Sequence, residues 1–135
     1  MTADSLSITV ATDASAAELW SALTEGRSTW WPELVLDARV GSPVRETWTE
    51  SGEEHSADGH VTEVTAPSRL AFVWQQQAWP TPLAVRVTIT EDDGRSAVTL
   101  TEHGFAALPD GDALRTAHEE GWAFHLGNLL DVAAG

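Results

Sequence analysis

Residues 113–134, which read ALRTAHEEGWAFHLGNLLDVAA, decide the fold that the sequence predicts. They follow Pro109 and two capping candidates, Asp110 and Asp112, and contain no proline, so we expect one long helix. At 3.6 residues per turn, one side of this helix carries an apolar stripe about 100° wide. The stripe consists of Leu114, His118, Trp122, His125, Leu129 and Ala133. Such a stripe needs an apolar surface to pack against.

The chain before this helix supplies that surface as a run of strands. Leu6, Ile8 and Val10 alternate with Ser and Thr, which predicts a half-buried first strand. A short helix, Ala16–Leu23, follows a cap at Asp13 or Ser15. The later predicted strands are Leu34–Val40, Val44–Glu50, His60–Thr65, Arg69–Gln75, Leu83–Thr90 and Ala97–Glu102.

Two short polar segments are interpreted as strand boundaries. Asp58-Gly59 opens the third of these later strands, and Asp92-Asp93-Gly94 forms a tight hairpin turn, because Asp and Gly tolerate positive φ. The order of strand, helix, about six antiparallel strands and a long helix predicts an α+β domain. A curled sheet that grips a helix can enclose a cavity. Since no repeat or linker divides the chain, we expect residues 1–135 to form a single domain.

Composition narrows the possible partners. The seven basic residues are all Arg and stand against 21 acidic residues, for a net charge of −14, so we expect neither nucleic-acid binding nor membrane attachment. The N-terminal residues lack the pattern of a signal peptide, and no window approaches a membrane span, which predicts a cytoplasmic protein. The absence of cysteine excludes disulfides and cysteine-ligated metals, and the absence of lysine excludes Schiff-base chemistry.

Short motifs that recur in order along the chain carry a family resemblance. They are Glu18-Leu19-Trp20, Trp31, Gly59-His60-Val61-Thr62-Glu63-Val64, Pro67, Arg69-Leu70, Phe72-Val73-Trp74, Leu100-Thr101-Glu102-His103-Gly104-Phe105, Gly121-Trp122, Leu126 and Leu129. With this series the chain resembles the START/Bet v 1-like (SRPBCC) superfamily. Within it, the chain is similar to the C-terminal-type domain of the branch named after the activator of the ninety-kilodalton heat-shock protein ATPase.

The resemblance implies a fold and a range of functions. The fold is the helix grip, a curved antiparallel sheet wrapped around the C-terminal helix, with short helices after the first strand. Members of the superfamily are mostly carriers or enzymes that hold an apolar or aromatic small molecule between sheet and helix. The name of the branch adds a co-chaperone role.

Seven tryptophans provide candidate walls for such a cavity. Flat indole surfaces suit an aromatic guest, and filling of the core is the alternative, especially for Trp20 and Trp122. The predicted ligand-binding residues are Trp30, Trp31, Trp48, Phe72, Trp74, Val85, Val87, Leu100, Phe105, Trp122 and Leu129. Phe105 follows the last strand and is expected to close the loop over the cavity mouth.

His118, His125 and Glu46 are the tentative catalytic residues. The two histidines lie on the apolar face of the last helix, where they could orient a ligand or move a proton. The alternative for each is a histidine at the edge of the core, bonded to a backbone carbonyl. They are separated by ~10 Å along the helix axis, too far to share one metal ion. No zinc motif and no nucleophile motif is present, so we expect neither a metal nor another cofactor.

The orientation of two side chains stays open at this level. Glu46 shares a strand face with Trp48, and if that face is concave, burial would raise the pKa of Glu46. A bulge would instead turn Glu46 outward. His60 is equally ambiguous, because Val61 and Val64 cannot both face inward without a bulge.

Three functions are compatible with these patterns. The first is a small-molecule binding protein for an apolar or aromatic metabolite, acting as a monomer or homodimer. The second is a cofactor-free enzyme of the polyketide cyclase or dehydratase kind. The third is a protein-interaction module, as the name of the branch suggests. The absence of lysine points to a GC-rich bacterial genome.

Overall fold

The computed structural model describes residues 4–134 as seven strands and two α-helices. The elements are β1 (Ser5–Thr12), α1 (Ala16–Leu23), β2 (Leu34–Leu36), β3 (Pro43–Glu50), β4 (Glu53–Thr65), β5 (Arg69–Gln76), β6 (Leu83–Asp92), β7 (Arg95–His103) and α2 (Gly111–Ala133). Single turns of 3-10 helix occur at Arg27–Thr29 and Phe105–Ala107. The strands form one curved antiparallel sheet in the order β1-β7-β6-β5-β4-β3-β2. The predicted α+β helix-grip fold is confirmed.

Local sequence explains where α1 begins. Of the two predicted caps, Ser15 is the N-cap: its hydroxyl oxygen accepts from the Glu18 amide at 3.1 Å. The Glu18 carboxylate accepts in return from the Ser15 amide at 2.9 Å. This capping box satisfies two amides that the first turn leaves without helical partners. The helix spans the predicted residues.

Two predicted strand boundaries are wrong by four residues or more. The strand predicted as Leu34–Val40 ends at Leu36, because the chain turns where the Arg39 amide donates to the Asp37 carbonyl, and Val40 is 63% exposed. The strand predicted from His60 begins earlier, at Glu53, because the chain reverses at Ser51 and Gly52, which have φ of 53° and 81°.

Gly59 therefore lies inside β4 and does not mark a strand boundary. A Cβ at this position would lie 1.7 Å from the Val73 carbonyl oxygen on β5. The glycine is required by the close approach of the neighbouring strand. Three residues further on, the pairing of β4 with β5 shifts register between Val61 and Glu63. This bulge turns Val61 and Val64 toward the core and leaves His60 exposed.

The long helix packs on the sheet through the predicted stripe. Its buried side chains include Trp122, Leu129 and Ala133, together with Leu126 on the same side. The facing sheet presents inward side chains at every second position, such as Val85 and Val87 on β6. At the far end of β6, Asp93 and Gly94 form the predicted hairpin turn, with φ of 52° and 76°. Within residues 4–134 no helix is long and apolar enough to span a membrane.

Candidate functional site

A pocket of about 140 Å³ opens where α2 crosses the concave face of the sheet. Its walls are Trp31, Glu46, Trp74, Ala117, His118, Gly121, Trp122 and His125. The α2 residues recur at helical spacing and so share one face. Glu46 comes from β3 and Trp74 from β5, while Trp31 lies just after the first 3-10 helix. The pocket thus combines three indoles with three titratable side chains.

The three tentative catalytic residues all line this pocket. Glu46 faces inward, and one of its carboxylate oxygens accepts a hydrogen bond from Trp31 Nε1 at 3.1 Å. Burial raises the pKa of Glu46, while the Trp31 bond and the neighbouring His118 act in the opposite direction. The carboxyl group is therefore protonated over a wider pH range than an exposed glutamate.

His125 stacks face to face on Trp31, with ring centroids 3.7 Å apart and planes inclined by 12°. Burial lowers the pKa of His125, and the charge of Glu33 opposes this effect only in part, which favours the neutral ring. Its Nδ1 is buried and has no hydrogen-bond partner among the residues that the structure describes. The alternative considered for this histidine, a hydrogen bond to a backbone carbonyl, is therefore not made by Nδ1 within residues 4–134.

Glu102 is the central polar group of the site and was not predicted from the sequence. Its side chain on β7 is fully buried and has three hydrogen-bond partners, two of which are indole donors. Trp74 Nε1 donates to Oε2 at 2.8 Å and Trp122 Nε1 to Oε1 at 2.9 Å. His118 Nδ1 lies 2.9 Å from the same Oε1. Because a buried carboxylate is costly without donors, these three groups account for its place in the core.

A signal for Glu102 exists in the strand pattern. Val98 and Leu100 face inward on β7, with exposures of 0% and 1%, and alternation places Glu102 on the same face. A glutamate at the end of a predicted strand is ordinarily solvated. Its donors come from β5 and α2, so the pairing requires the tertiary structure.

Packed indoles occupy most of the space between α2 and the sheet where a cavity was expected. Trp122 contacts Trp31 edge to face at 5.4 Å and stacks near Trp74 at 5.7 Å, between ring centroids. Phe72 adds an edge-to-face contact with Trp74 at 5.2 Å. Phe72 and Val87 border only a small internal void of about 20 Å³. The remaining pocket is smaller than the roughly 300–1,000 Å³ typical of drug-sized ligand sites.

Several predicted lining residues lie elsewhere. Those buried in the core, away from the walls of the pocket, are Val85, Leu100, Phe105 and Leu129. Trp30 donates from Nε1 to the Ala22 carbonyl at 2.8 Å, and Trp48 stacks on His55 beside a separate surface depression. Phe105 does not close the mouth of the pocket: its ring packs edge to face against His118, with centroids 5.5 Å apart.

Outside the pocket, arginine side chains at the surface form ion pairs with acidic side chains. Arg45 pairs with Asp58 at 3.6 Å, and Glu63 pairs with Arg69 at 3.2 Å and Arg86 at 3.5 Å. A wider groove of about 730 Å³ runs past β4 and β5. It is lined by Glu54, His55, Ser56, Asp58, Gln75, Gln76, Gln77 and Ala78 and has no indole wall. No cluster of three or more side chains suited to a metal ion occurs within residues 4–134.

Comparisons with known proteins add a family and a fold. Residues 13–134 match the family described as "Activator of Hsp90 ATPase homolog 1-like protein". No curated protein matches the chain in sequence.

Solved structures with the same fold cover nearly all of the chain. CV1439 from Chromobacterium violaceum aligns with a TM-score of 0.80 at 17% identity, over 98% of each chain. CalU16 from Micromonospora echinospora gives 0.73 at 22% identity, over 96% of this chain and 75% of its own. PFC0360w, described as an HSP90 activator from Plasmodium falciparum, gives 0.72 at 19% identity, over 98% and 97%. At these identities the likeness establishes the fold.

Proposed function

The chain belongs to the family of activator of Hsp90 ATPase homolog 1-like proteins, as its motifs predicted, and we propose that it binds a small apolar or aromatic molecule between α2 and the sheet. The observation that carries this proposal is the pocket itself, where three indoles and three polar side chains surround one open space. Apolar walls with a few convergent polar groups are typical of small-molecule sites.

The size of the pocket limits how much of the ligand it takes up. A cavity of about 150 Å³ holds one benzene-sized ring, and this pocket measures about 140 Å³. One ring of the ligand therefore inserts among the indoles, and the rest of the molecule lies at the mouth. The net charge of −14 favours a neutral ligand over an anionic one.

Two glycines of α2 provide a matched test. Gly121 lines the pocket, and a Cβ added there would meet nothing within 4 Å, so the side chain of Gly121→Leu can enter the pocket. Gly127 lies on the same helix with equally open surroundings and is not part of the pocket wall. Gly127→Leu is therefore the control for the effect of leucine on the helix.

The experiment measures the dissociation constants of naphthalene and 2-naphthol by isothermal titration calorimetry. We expect Gly121→Leu to weaken binding at least about tenfold, because it occupies the site, and Gly127→Leu to leave binding within about twofold. The proposal is wrong if neither probe binds the wild-type protein, or if both variants bind equally well.

An acid–base enzyme is the second candidate, favoured by the contact between Glu102 and His118. A histidine held by a buried carboxylate, facing a pocket that also contains Glu46, combines two proton-transfer groups. Such a pair could enolise a ketone. Exchange of the α-protons of 2-tetralone in D₂O, followed by ¹H NMR, tests this: the wild type should accelerate exchange and Glu46→Gln should not. Exchange at the buffer rate with wild-type protein would eliminate this candidate.

A chaperone-related role is the third candidate. It rests on the name of the family and on the description of PFC0360w. We therefore place it behind the two proposals that are based on the pocket.

A further inference from the structure

We propose that the ligand carries a hydroxyl on an unsaturated carbon of its ring, as a phenol or an enol does, and that this hydroxyl hydrogen-bonds to Nε2 of His118. This inference rests on the proposed function, since it specifies the chemistry of the molecule that enters the same pocket. It follows from the position of the proton on the His118 ring, from the accessibility of His118 Nε2 and from the flat indole walls of the pocket.

The proton position follows from the three donors around Glu102. An indole Nε1–H can only donate, so Trp74 and Trp122 make both carboxylate oxygens hydrogen-bond acceptors. His118 Nδ1 lies 2.9 Å from Oε1. An ionised carboxylate can only accept, so we assign the proton of this bond to Nδ1 of His118, with Glu102 as the charged partner. In the neutral ring, Nε2 is then the acceptor.

Nε2 is also the available end of the ring. The His118 side chain lines the pocket and is 18% exposed, whereas its Glu102 partner is fully buried. Nε2 has no hydrogen-bond partner among residues 4–134. It is also not among the polar atoms that are both buried and without a partner, so it is accessible. The ring is held by Glu102 on one side and by edge-to-face contact with Phe105. A ligand group that bonds to Nε2 must therefore donate a hydrogen bond.

The indole walls of the pocket favour a ligand hydroxyl that lies in the plane of an aromatic or unsaturated ring. A hydroxyl on an unsaturated carbon lies in the plane of its ring, so the ring can stay against Trp31, Trp74 and Trp122 while the hydroxyl reaches His118. The bond to Nε2 strengthens as the hydroxyl becomes more acidic. If the proton moves, it passes from the ligand oxygen to Nε2 and leaves an oxyanion beside an imidazolium, with no other reactant.

A pair of probes that differ by one methyl group tests this inference. Titration calorimetry compares 2-naphthol with 2-methoxynaphthalene, which has the same ring system and no hydroxyl proton. The wild type should prefer 2-naphthol at least about tenfold. His118→Asn should reduce this preference to within about threefold, because an asparagine amide can still donate to Glu102 but places no acceptor at the Nε2 position. Gly127→Leu should keep the wild-type preference.

The outcomes separate this inference from the proposed function. Equal binding of the two probes to the wild type, or an unchanged preference in His118→Asn, overturns the hydroxyl assignment and leaves the binding function standing. Failure of both probes to bind overturns both. If His118→Asn does not fold, ¹⁵N NMR of the wild-type histidines decides. The inference requires the Nδ1–H tautomer at His118 in the neutral ring, and an Nε2–H tautomer contradicts it.

Discussion

Replacing Glu102 by glutamine should destabilise the protein, although the two side chains have nearly the same shape. The carboxylate accepts from Trp74 at Oε2 and from Trp122 and His118 at Oε1. A glutamine offers one carbonyl oxygen and one NH₂ group. The carbonyl is expected to take the Oε1 position, where two donors meet, which leaves the NH₂ group facing the Trp74 N–H.

The cost of Glu102→Gln can be estimated from these contacts. A buried polar group left without its partner costs about 1–3 kcal/mol, and the two bonds kept at the carbonyl lose the extra strength of a charged acceptor. The lower desolvation cost of a neutral amide offsets part of this loss. We expect a net decrease of roughly 2–3 kcal/mol in the free energy of unfolding, a large part of the roughly 5–15 kcal/mol typical of a domain.

Urea unfolding at pH 7, followed by far-ultraviolet circular dichroism, measures this change through the midpoint at constant m-value. Glu54→Gln, an exposed change in the same sheet, is the control and should stay within about 0.5 kcal/mol of the wild type. Trp74→Phe removes the conflicting donor, so the double variant should cost less than the sum of the single changes by about 1 kcal/mol or more. A cost of Glu102→Gln below about 0.5 kcal/mol, or strict additivity with Trp74→Phe, would contradict a stabilising role for the buried carboxylate and its donors.

Three further predictions concern the strands, the acid and the stacked histidine. Gly59→Ala should prevent stable folding, because its Cβ would lie 1.7 Å from the Val73 carbonyl oxygen. Gly127→Ala, whose Cβ would have nothing within 4 Å, should stabilise α2 by roughly 0.5–1 kcal/mol. Thermal unfolding curves compare the two variants. Glu46→Gln should raise Tm at pH 7 and leave it unchanged at pH 4. The pKa of Glu46 is raised above 4.5, so the wild type loses stability as the pH rises through that pKa. Equal Tm differences at the two pH values would contradict this. His125→Phe keeps a ring on Trp31 and removes a buried unpartnered nitrogen, so stability at pH 7 should stay equal or rise by up to about 1 kcal/mol. Because the pKa of His125 is lowered from 6.5, the stability of the wild type should decline as the pH falls below that value, and His125→Phe should not show this decline. A loss of more than about 1 kcal/mol of stability in His125→Phe at pH 7 would show that Nδ1 has a partner.

Local patterns were sufficient for most of the fold. The alternation along β6 and the turn at Asp93-Gly94 depend on residues close in sequence, and both were predicted. Ser15 was one of the two predicted caps of α1, and its capping box with Glu18 appears only in the structure. Gly59 was misinterpreted because a glycine has two uses, in a turn and beneath a close neighbour. Only the position of Val73 on the next strand distinguishes them.

The sequence predicted only some of the residues that form the site, and it did not predict how they are arranged. Helical and strand periodicity indicated that His118, His125 and Glu46 could face inward, and all three line one pocket. The pairing of Glu102 with donors on two other elements could not be read from local sequence, because it depends on the register of β7 and the placement of α2. The size of the pocket depends on how Trp31, Trp74 and Trp122 pack against one another, which periodicity does not determine.

The most direct test of the central claim uses the indole N–H signals of the seven tryptophans. A ¹H–¹⁵N NMR spectrum of the uniformly labelled protein resolves these signals, and single Trp→Phe variants assign them. On saturation with 2-naphthol, we expect large chemical-shift changes for the indole N–H signals of Trp31, Trp74 and Trp122, which line the pocket. The signals of Trp20 and Trp48 should stay unchanged. Shifts confined to Trp48, or no shift at all at saturating probe, would contradict the central claim.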